Sequence, residues 1–439
     1  MYLLGQYNKG EMNMDAMIAI IVFAISYIFL LLDKINRALV ALSGSAILIV
    51  LGIFSIDSAL STYVDWSTIV LLFSMMVLIT ITQRTGVFEF IALWMIQRVD
   101  GRPIPLFIWV GVFTAVGSAL LDNVTTVLLF VPVLLHMIKK LNLPPFPYIV
   151  MVIITSNVGG TATMIGDPPN IMIGQAVEHF TFMSFVIHLA PIVVVIFVVT
   201  MALLLLMFGR SLVKSSQQRS SEAINLDPYA ALKKSPLLYQ SLSILFLTIA
   251  GFLLHGFIHV ELTTVALAGA LILLLLSEKD ADCETVFAKV EWTTLFFFIG
   301  LFVLVGGLEQ TGIIDQIAMS FITLTEGDQV KSSFIILWSA GLLSGFLDNI
   351  PYVASMIPIL FELEEFGMTA IDPMWWALAL GACLGGNGTL LGASANVVVA
   401  GIASTNGVKI PFIRFMLYGL LIVVVSLIIA TVYMLIRYF

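Results

Sequence analysis

The chain has 439 residues, of which 60% are hydrophobic and only 10% charged, with a mean hydropathy of +1.09. A soluble fold of this length has no interior able to hold that much apolar surface, so composition points to an all-α polytopic membrane protein whose first partner is the lipid bilayer. The net charge of -8 does not point to a nucleic-acid partner, and the two cysteines, Cys283 and Cys383, provide neither a disulfide framework nor a thiolate metal spacing.

The first fifteen residues are short and polar. The apolar run at 16–32 is longer than a signal-peptide core and lacks a small-residue cleavage site, so it reads as a retained first helix. Further apolar runs lie near 38–56, 67–83, 147–175, 184–208, 238–256, 262–277, 292–308, 373–403 and 411–434, making ten crossings in all. Residues 87–101 mix apolar and polar faces and read as a helix lying along the membrane surface, with 313–325 as its counterpart. Segments 104–138 and 332–365 are apolar but interrupted, the first by Asp122-Asn123 and the second by Asp348-Asn349. A polar stretch, 210–236, separates a first half (1–209) from a second (237–439).

The two halves repeat one another 226 residues apart without a gap. Val64-Asp65-Trp66-Ser67-Thr68 returns as Val290-Glu291-Trp292-Thr293-Thr294, Leu121-Asp122-Asn123 as Leu347-Asp348-Asn349, and Pro132 as Pro358. Gly159-Gly160 returns as Gly385-Gly386, Thr163 as Thr389, Gly166 as Gly392 and Asn170 as Asn396. Duplicated membrane chains of this kind place their site at the interface of the repeats.

Basic residues orient the chain. With the N-terminus outside, Lys34, Arg37, Arg84, Arg98, Arg102, Lys139, Lys140, Arg210, Lys214, Arg219, Lys233, Lys234, Lys279, Lys289, Lys409 and Arg414 all fall inside, and only Lys9, Lys331 and Arg437 fall outside. Arg102 and Lys139-Lys140 then flank the first interrupted segment on one face, which makes it a re-entrant hairpin with Asp122-Asn123 at its tip. Acidic flanks (Glu326, Asp328; Glu362, Glu364, Glu365) put its partner on the other face. Five crossings per half is an odd number, so the expected fold is two inverted repeats, each of five transmembrane helices plus one hairpin, with both termini outside and the 210–236 linker cytoplasmic.

Three carboxylates sit at membrane depth, Asp122, Asp167 and Asp348, with no Lys or Arg among them. An ionisable group there costs several kcal/mol, on the order of 3, unless it faces a partner or a cavity, which makes each a functional candidate. Asp122 and Asp348 also suit helix capping. Around them, Ser156-Asn157-Val158-Gly159-Gly160-Thr161-Ala162-Thr163-Met164-Ile165-Gly166-Asp167-Pro168-Pro169-Asn170 interrupts a crossing, and Ala382-Cys383-Leu384-Gly385-Gly386-Asn387-Gly388-Thr389-Leu390-Leu391-Gly392-Ala393-Ser394-Ala395-Asn396 interrupts its counterpart. Such glycine density and a proline pair break a helix, and broken backbone at this depth lines a site or packs as a kink. The candidate ion-binding residues are therefore Asp122, Asn123, Thr126, Ser156, Asn157, Thr161, Thr163, Asp167, Asn170, Asp348, Asn349, Asn387, Thr389, Ser394 and Asn396, with Gly159, Gly160, Gly166, Gly385, Gly386 and Gly392 as backbone hinges.

The stretches 121–132 and 156–170 resemble the signatures of melanosomal P-protein-like transporters, in the arsenite-permease/sodium–proton-antiporter branch of the ion transporter superfamily. That resemblance implies a scaffold and a moving transport domain, elevator motion, a homodimer, and sodium between each tip and the neighbouring break, here at Asn123, Asn157, Asn349 and Asn387. Where dicarboxylate-transporting members carry Ser-Asn-Thr at the tips, this chain carries Asp122-Asn123-Val124 and Asp348-Asn349-Ile350, which repel a free anion and suit a cation, a proton or a neutral solute.

The expected function is secondary transport of a small inorganic ion coupled to H+ or Na+ across the plasma membrane, with cation/proton exchange first, arsenite or antimonite efflux second and sodium-coupled citrate- or dicarboxylate-like anions third. No Ser-His-Asp set, metal-ligand histidine spacing or nucleotide loop supports an enzyme, and no cofactor beyond a bound Na+ is expected.

Overall fold

A computed structural model describes residues 13–32, 34–215, 227–278 and 282–439. Lys9, Arg219, Lys279 and the centre of the 210–236 linker lie outside them. The chain forms α1 (Met14–Leu32), α2 (Arg37–Val50), α3 (Ile56–Ser58) running into a π-helical turn (Ala59–Tyr63), α4 (Trp66–Gln83), α5 (Val87–Arg98), α6 (Pro103–Leu120), α7 (Asn123–Lys140), α8 (Pro145–Gly160), α9 (Pro168–Ala176), α10 (Phe182–His188) and α11 (Ala190–Ser215). After a 3-10 turn at Pro228–Ala231 come α12 (Pro236–Ile258), α13 (Leu262–Ser277), α14 (Cys283–Phe287), α15 (Trp292–Gln310), α16 (Ile313–Thr325), α17 (Gln329–Leu343), α18 (Asn349–Glu365), α19 (Asp372–Gly385), α20 (Ser394–Thr405) and α21 (Phe412–Tyr438).

These boundaries follow local chemistry. Proline opens α6, α8, α9 and α12, where its missing N–H removes nothing the helix uses. Gly86 and Gly312 take left-handed backbone (φ 77° and 72°) immediately before α5 and α16, which turns the chain at equivalent points of the two halves. Asn36 caps α2 by accepting from the Ala38 N–H at 3.0 Å. The two interrupted segments become helix pairs, α6–α7 and α17–α18, each with a proline inside its second helix (Pro132, Pro358).

Among the described residues eight helices, α1, α4, α6, α7, α11, α12, α15 and α21, are long and apolar enough to cross a membrane. The ten expected crossings are drawn differently because α2 and α13 are shorter (14 and 16 residues) and because 147–175 and 373–403 are each two helices with a gap. Exposed apolar side chains such as Leu206, Phe246 and Ile436 cover the outer surface, as lipid solvent allows.

The chain divides into two compact units that do not follow the sequence halves. One comprises 1–66, 292–328 and 354–369; the other comprises 67–291, 329–353 and 370–439. In the first, α2 packs against α15 so closely that a Cβ on Gly300 would lie 2.7 Å from the Ala41 backbone, and the Ser45 hydroxyl donates to the Gly300 carbonyl at 2.7 Å. In the second, α6 packs on α8 and α17 on α19, and α8 and α19 are buried almost end to end. All the candidate site residues belong to this second unit.

Candidate functional site

Each broken helix is held open by an asparagine just past the gap. The Asn170 amide donates to the carbonyls of Thr161 (3.2 Å) and Thr163 (2.9 Å). The Asn396 amide does the same for Gly386 (2.7 Å) and Thr389 (2.9 Å). Carbonyls that lost their helical partners are thereby satisfied without water. Glycine is required where the backbone of each gap passes itself: a Cβ on Gly160 would meet the Gly166 carbonyl at 2.5 Å, and one on Gly392 the Gly386 carbonyl at 2.8 Å.

The first hairpin tip is stitched onto the first break. The Asn123 N–H donates to the Gly166 carbonyl (3.0 Å), the Ser118 hydroxyl to the Ser156 carbonyl (2.6 Å), and the Thr163 hydroxyl to the Ala119 carbonyl. At the second tip the Ser394 hydroxyl donates to an Asp348 oxygen at 2.8 Å.

Asn157 is the hub. Its carbonyl oxygen accepts from the Asn123 amide (3.3 Å), and its amide donates to the side-chain oxygens of Asn387 (3.1 Å) and Asn396 (2.9 Å). One side chain therefore joins the first tip, the second gap and the helix after it. At the equivalent position of the second half stands Cys383, fully buried, whose thiol donates to the Asn170 side-chain oxygen at 3.4 Å and also bonds with Asp167 and Thr161.

The three carboxylates have different surroundings. Asp122 spends one oxygen on the Thr125 N–H (2.6 Å) and the other on the Thr125 hydroxyl (2.6 Å), which makes it first a helix cap, on backbone at φ 147° that a side chain rarely adopts. Asp348 caps through the Ile350 N–H (3.2 Å) and holds Ser394. Asp167 is fully buried and is held by long contacts, 3.3 and 3.4 Å from the Asn349 amide, by the weak thiol donor of Cys383 and by the Asn123 side chain. Among the described residues no Lys or Arg is buried, so none of the three has a buried cationic partner there.

Not every candidate converges. The Ser156 and Thr161 hydroxyls donate to carbonyls of their own helix, Ile153 and Asn157. The Thr389 oxygen accepts from the Leu391 N–H. Four buried polar atoms of the site lack a partner among the described residues: Asn123 Oδ1, Thr126 Oγ1, Asn387 Nδ2 and Ser344 Oγ. Ser118, Ser344 and Cys383 escaped the sequence-based set, although Ser118 and Ser344 are themselves 226 residues apart and Cys383 is the counterpart of Asn157. No group of three or more His, Cys, Asp or Glu with metal-site geometry occurs among the described residues.

A model of the family described as citrate transporter matches residues 27–381. The chain belongs to the citrate transporter family. Among other members, an uncharacterized transporter of Mycobacterium tuberculosis is 39% identical over 97% of this chain and 99% of its own length, and a 46 kDa membrane protein of Mycobacterium leprae is 39% identical over 96% and 99%. The human P protein is 32% identical over 99% of this chain, which spans 61% of that longer protein. In fold, the chain is similar to the YdaH transporter of Alcanivorax borkumensis, with a TM-score of 0.57 at 13% identity over 95% of this chain and 97% of the other. This citrate transporter family member is thus an integral membrane secondary transporter and not an enzyme, and the expected kinship with P-protein-like transporters holds.

Proposed function

We propose that this transporter couples solute movement to a proton or a small cation through Asp167, the exchange of a cation for a proton being the simplest form. The observation that carries the reading is the Asp167 carboxylate: fully buried, without a buried Lys or Arg among the described residues, and held by neutral groups, the Asn349 and Asn123 side chains and the Cys383 thiol. A group so placed gains most from binding a cation or a proton. Asn123 Oδ1 and Thr126 Oγ1, buried and unpartnered, supply the hard oxygens that Na+ prefers, with Asn157, Asn349 and Asn387 completing the polar shell. Asp122 and Asp348 order the tips and keep the site negative.

A second reading has one observation in its favour. Asn387 Nδ2 is a buried donor without a partner, and the N-terminus of α20 keeps the N–H groups that Pro168-Pro169 remove from α9. A citrate-like anion would dock there, and three buried carboxylates require it to arrive with cations that offset its charge. Arsenite or antimonite efflux stands third. In all three, the two halves act as inverted repeats in an elevator-type homodimer of the plasma membrane, with both termini outside.

The test is a proteoliposome assay with a trapped pH dye, pulsed with external Na+ or Li+, and in parallel with citrate plus Mg2+. Cation-driven proton movement abolished in Asp167→Asn but only weakened in Asp122→Asn is the expected result. Undiminished exchange in a folded Asp167→Asn variant would sink the assignment.

A further inference from the structure

Six cations gather on one end of the second compact unit without any acid among them. Lys139 and Lys140 close α7, Arg210 and Lys214 lie near the end of α11, Lys409 precedes α21 and Arg414 sits in its first turn. They share one end of the unit because Phe146, in the first turn of α8 just after α7, touches Phe208 of α11 (ring centroids 6.0 Å) and Tyr418 of α21 (6.2 Å), while Phe208 and Tyr418 touch each other at 5.0 Å. The segments 136–147, 204–215 and 403–418 contain no Asp or Glu. All six cationic side chains are exposed, and none has an acidic partner among the described residues.

Two details distinguish this patch from an ordinary solvated charge run. The Arg414 guanidinium lies over the Phe146 ring, 4.4 Å from its centroid, so its position is held while its N–H fork keeps donors to spare. Exposed apolar side chains flank the two arginines: Leu206 and Val213 around Arg210, Ile413 and Leu417 around Arg414. Cations immediately beside acyl-facing side chains, at the end of spanning helices, match a ligand with a phosphate head and hydrocarbon tails. Arg102 offers a contrast, since it precedes α6 in the same unit but is already paired with Asp100 at 3.6 Å.

We propose that the Phe146–Phe208–Tyr418 aromatic cluster, with Arg414 and Arg210 as its phosphate-binding groups and Lys139, Lys140, Lys214 and Lys409 around them, is a binding site for an anionic phospholipid of the surrounding leaflet. The site adjoins the start of α8, the helix that carries Asn157, so an occupied headgroup pins the base of the broken helix. It does not depend on which solute is carried.

The experiment is native mass spectrometry of the full-length protein in detergent with equal phosphatidylglycerol and phosphatidylcholine. Wild type should retain phosphatidylglycerol about tenfold over phosphatidylcholine, roughly the effect of one or two well-placed cations. Arg414→Gln and, independently, Lys409→Gln should bring the ratio towards parity, and Arg102→Gln should leave it unchanged. Equal retention of the two lipids by wild type, or a ratio unaltered in both Arg414→Gln and Lys409→Gln, would overturn the proposal. So would inorganic phosphate alone raising the melting temperature as much as phosphatidylglycerol vesicles do, which would mark a free-phosphate site.

Discussion

Asn157 and Cys383 occupy the same place in the two halves, and their chemistry makes the site uneven. An amide there satisfies three partners strongly, whereas a thiol offers only weak bonds to Asn170, Asp167 and Thr161 and leaves Asp167 lightly held. Asn157→Ala strips a donor from two buried side-chain oxygens and an acceptor from the Asn123 amide. It should cost about 1–3 kcal/mol for each group left unsatisfied and lower the melting temperature in detergent sharply. Cys383→Ala removes far less and should stay within about 1 kcal/mol of wild type. Melting curves of the two variants test this directly, and equal destabilisation would contradict the hub role of Asn157. The thiol position was readable from the repeat alone. The capping role of Asp122 was readable in the sequence too; that Thr125 takes both of its oxygens was not, because a sequence does not say how many contacts a carboxylate makes with one neighbour.

At the scale of elements, the gaps in α8–α9 and α19–α20 depend on backbone passing backbone. Gly160→Ala would place its Cβ 2.5 Å from the Gly166 carbonyl, where neither chain has a flexible side chain to move, and overpacking of this kind costs about 1–3 kcal/mol or more. Gly401→Ala, inside α20 with nothing within 4 Å, should instead be neutral or gain up to about 1 kcal/mol. Yield of monodisperse protein and its melting temperature separate the two. The starts of α5 and α16 offer a second contrast. Gly86 and Gly312 share their left-handed backbone, but only at Gly86 does a Cβ run into another segment, the Ala231 carbonyl at 2.0 Å. The linker turn is tied there by the Lys233 N–H donating to the Thr85 carbonyl (3.0 Å) and by Tyr229 against Phe90. Gly86→Ala should therefore destabilise clearly more than Gly312→Ala, although the sequence motifs around the two are alike. Thermal melts of the pair in one detergent would settle the order.

At the scale of the molecule, the proposed inverted arrangement makes a sided prediction. Cys283 is exposed and Cys383 buried. In intact cells a membrane-impermeant maleimide should leave both unmodified, and Cys283 should react once the inner face is opened. In a Cys283→Ser background, Lys140→Cys should label only from inside and Glu365→Cys only from outside. Labelling of both from one face would end the inverted-repeat reading. Each of the two compact units is drawn from both halves of the chain. Their boundaries were not legible in the chain, because contact between distant segments is what defines them.

Composition and local pattern were enough for the class, for most helix positions and for the two places where helices fail. Apolar length, glycine density and proline are local properties, and the 226-residue repeat reports every equivalent pair. Which distant polar atoms meet depends on how the helices pack. Packing joined Asn157 to Asn387 and Asn396 across more than 200 residues and set the Asn349 amide against Asp167. Hydrogen bonds act over about 3 Å, and residues so far apart in the chain come within that distance only when the helices around them have packed.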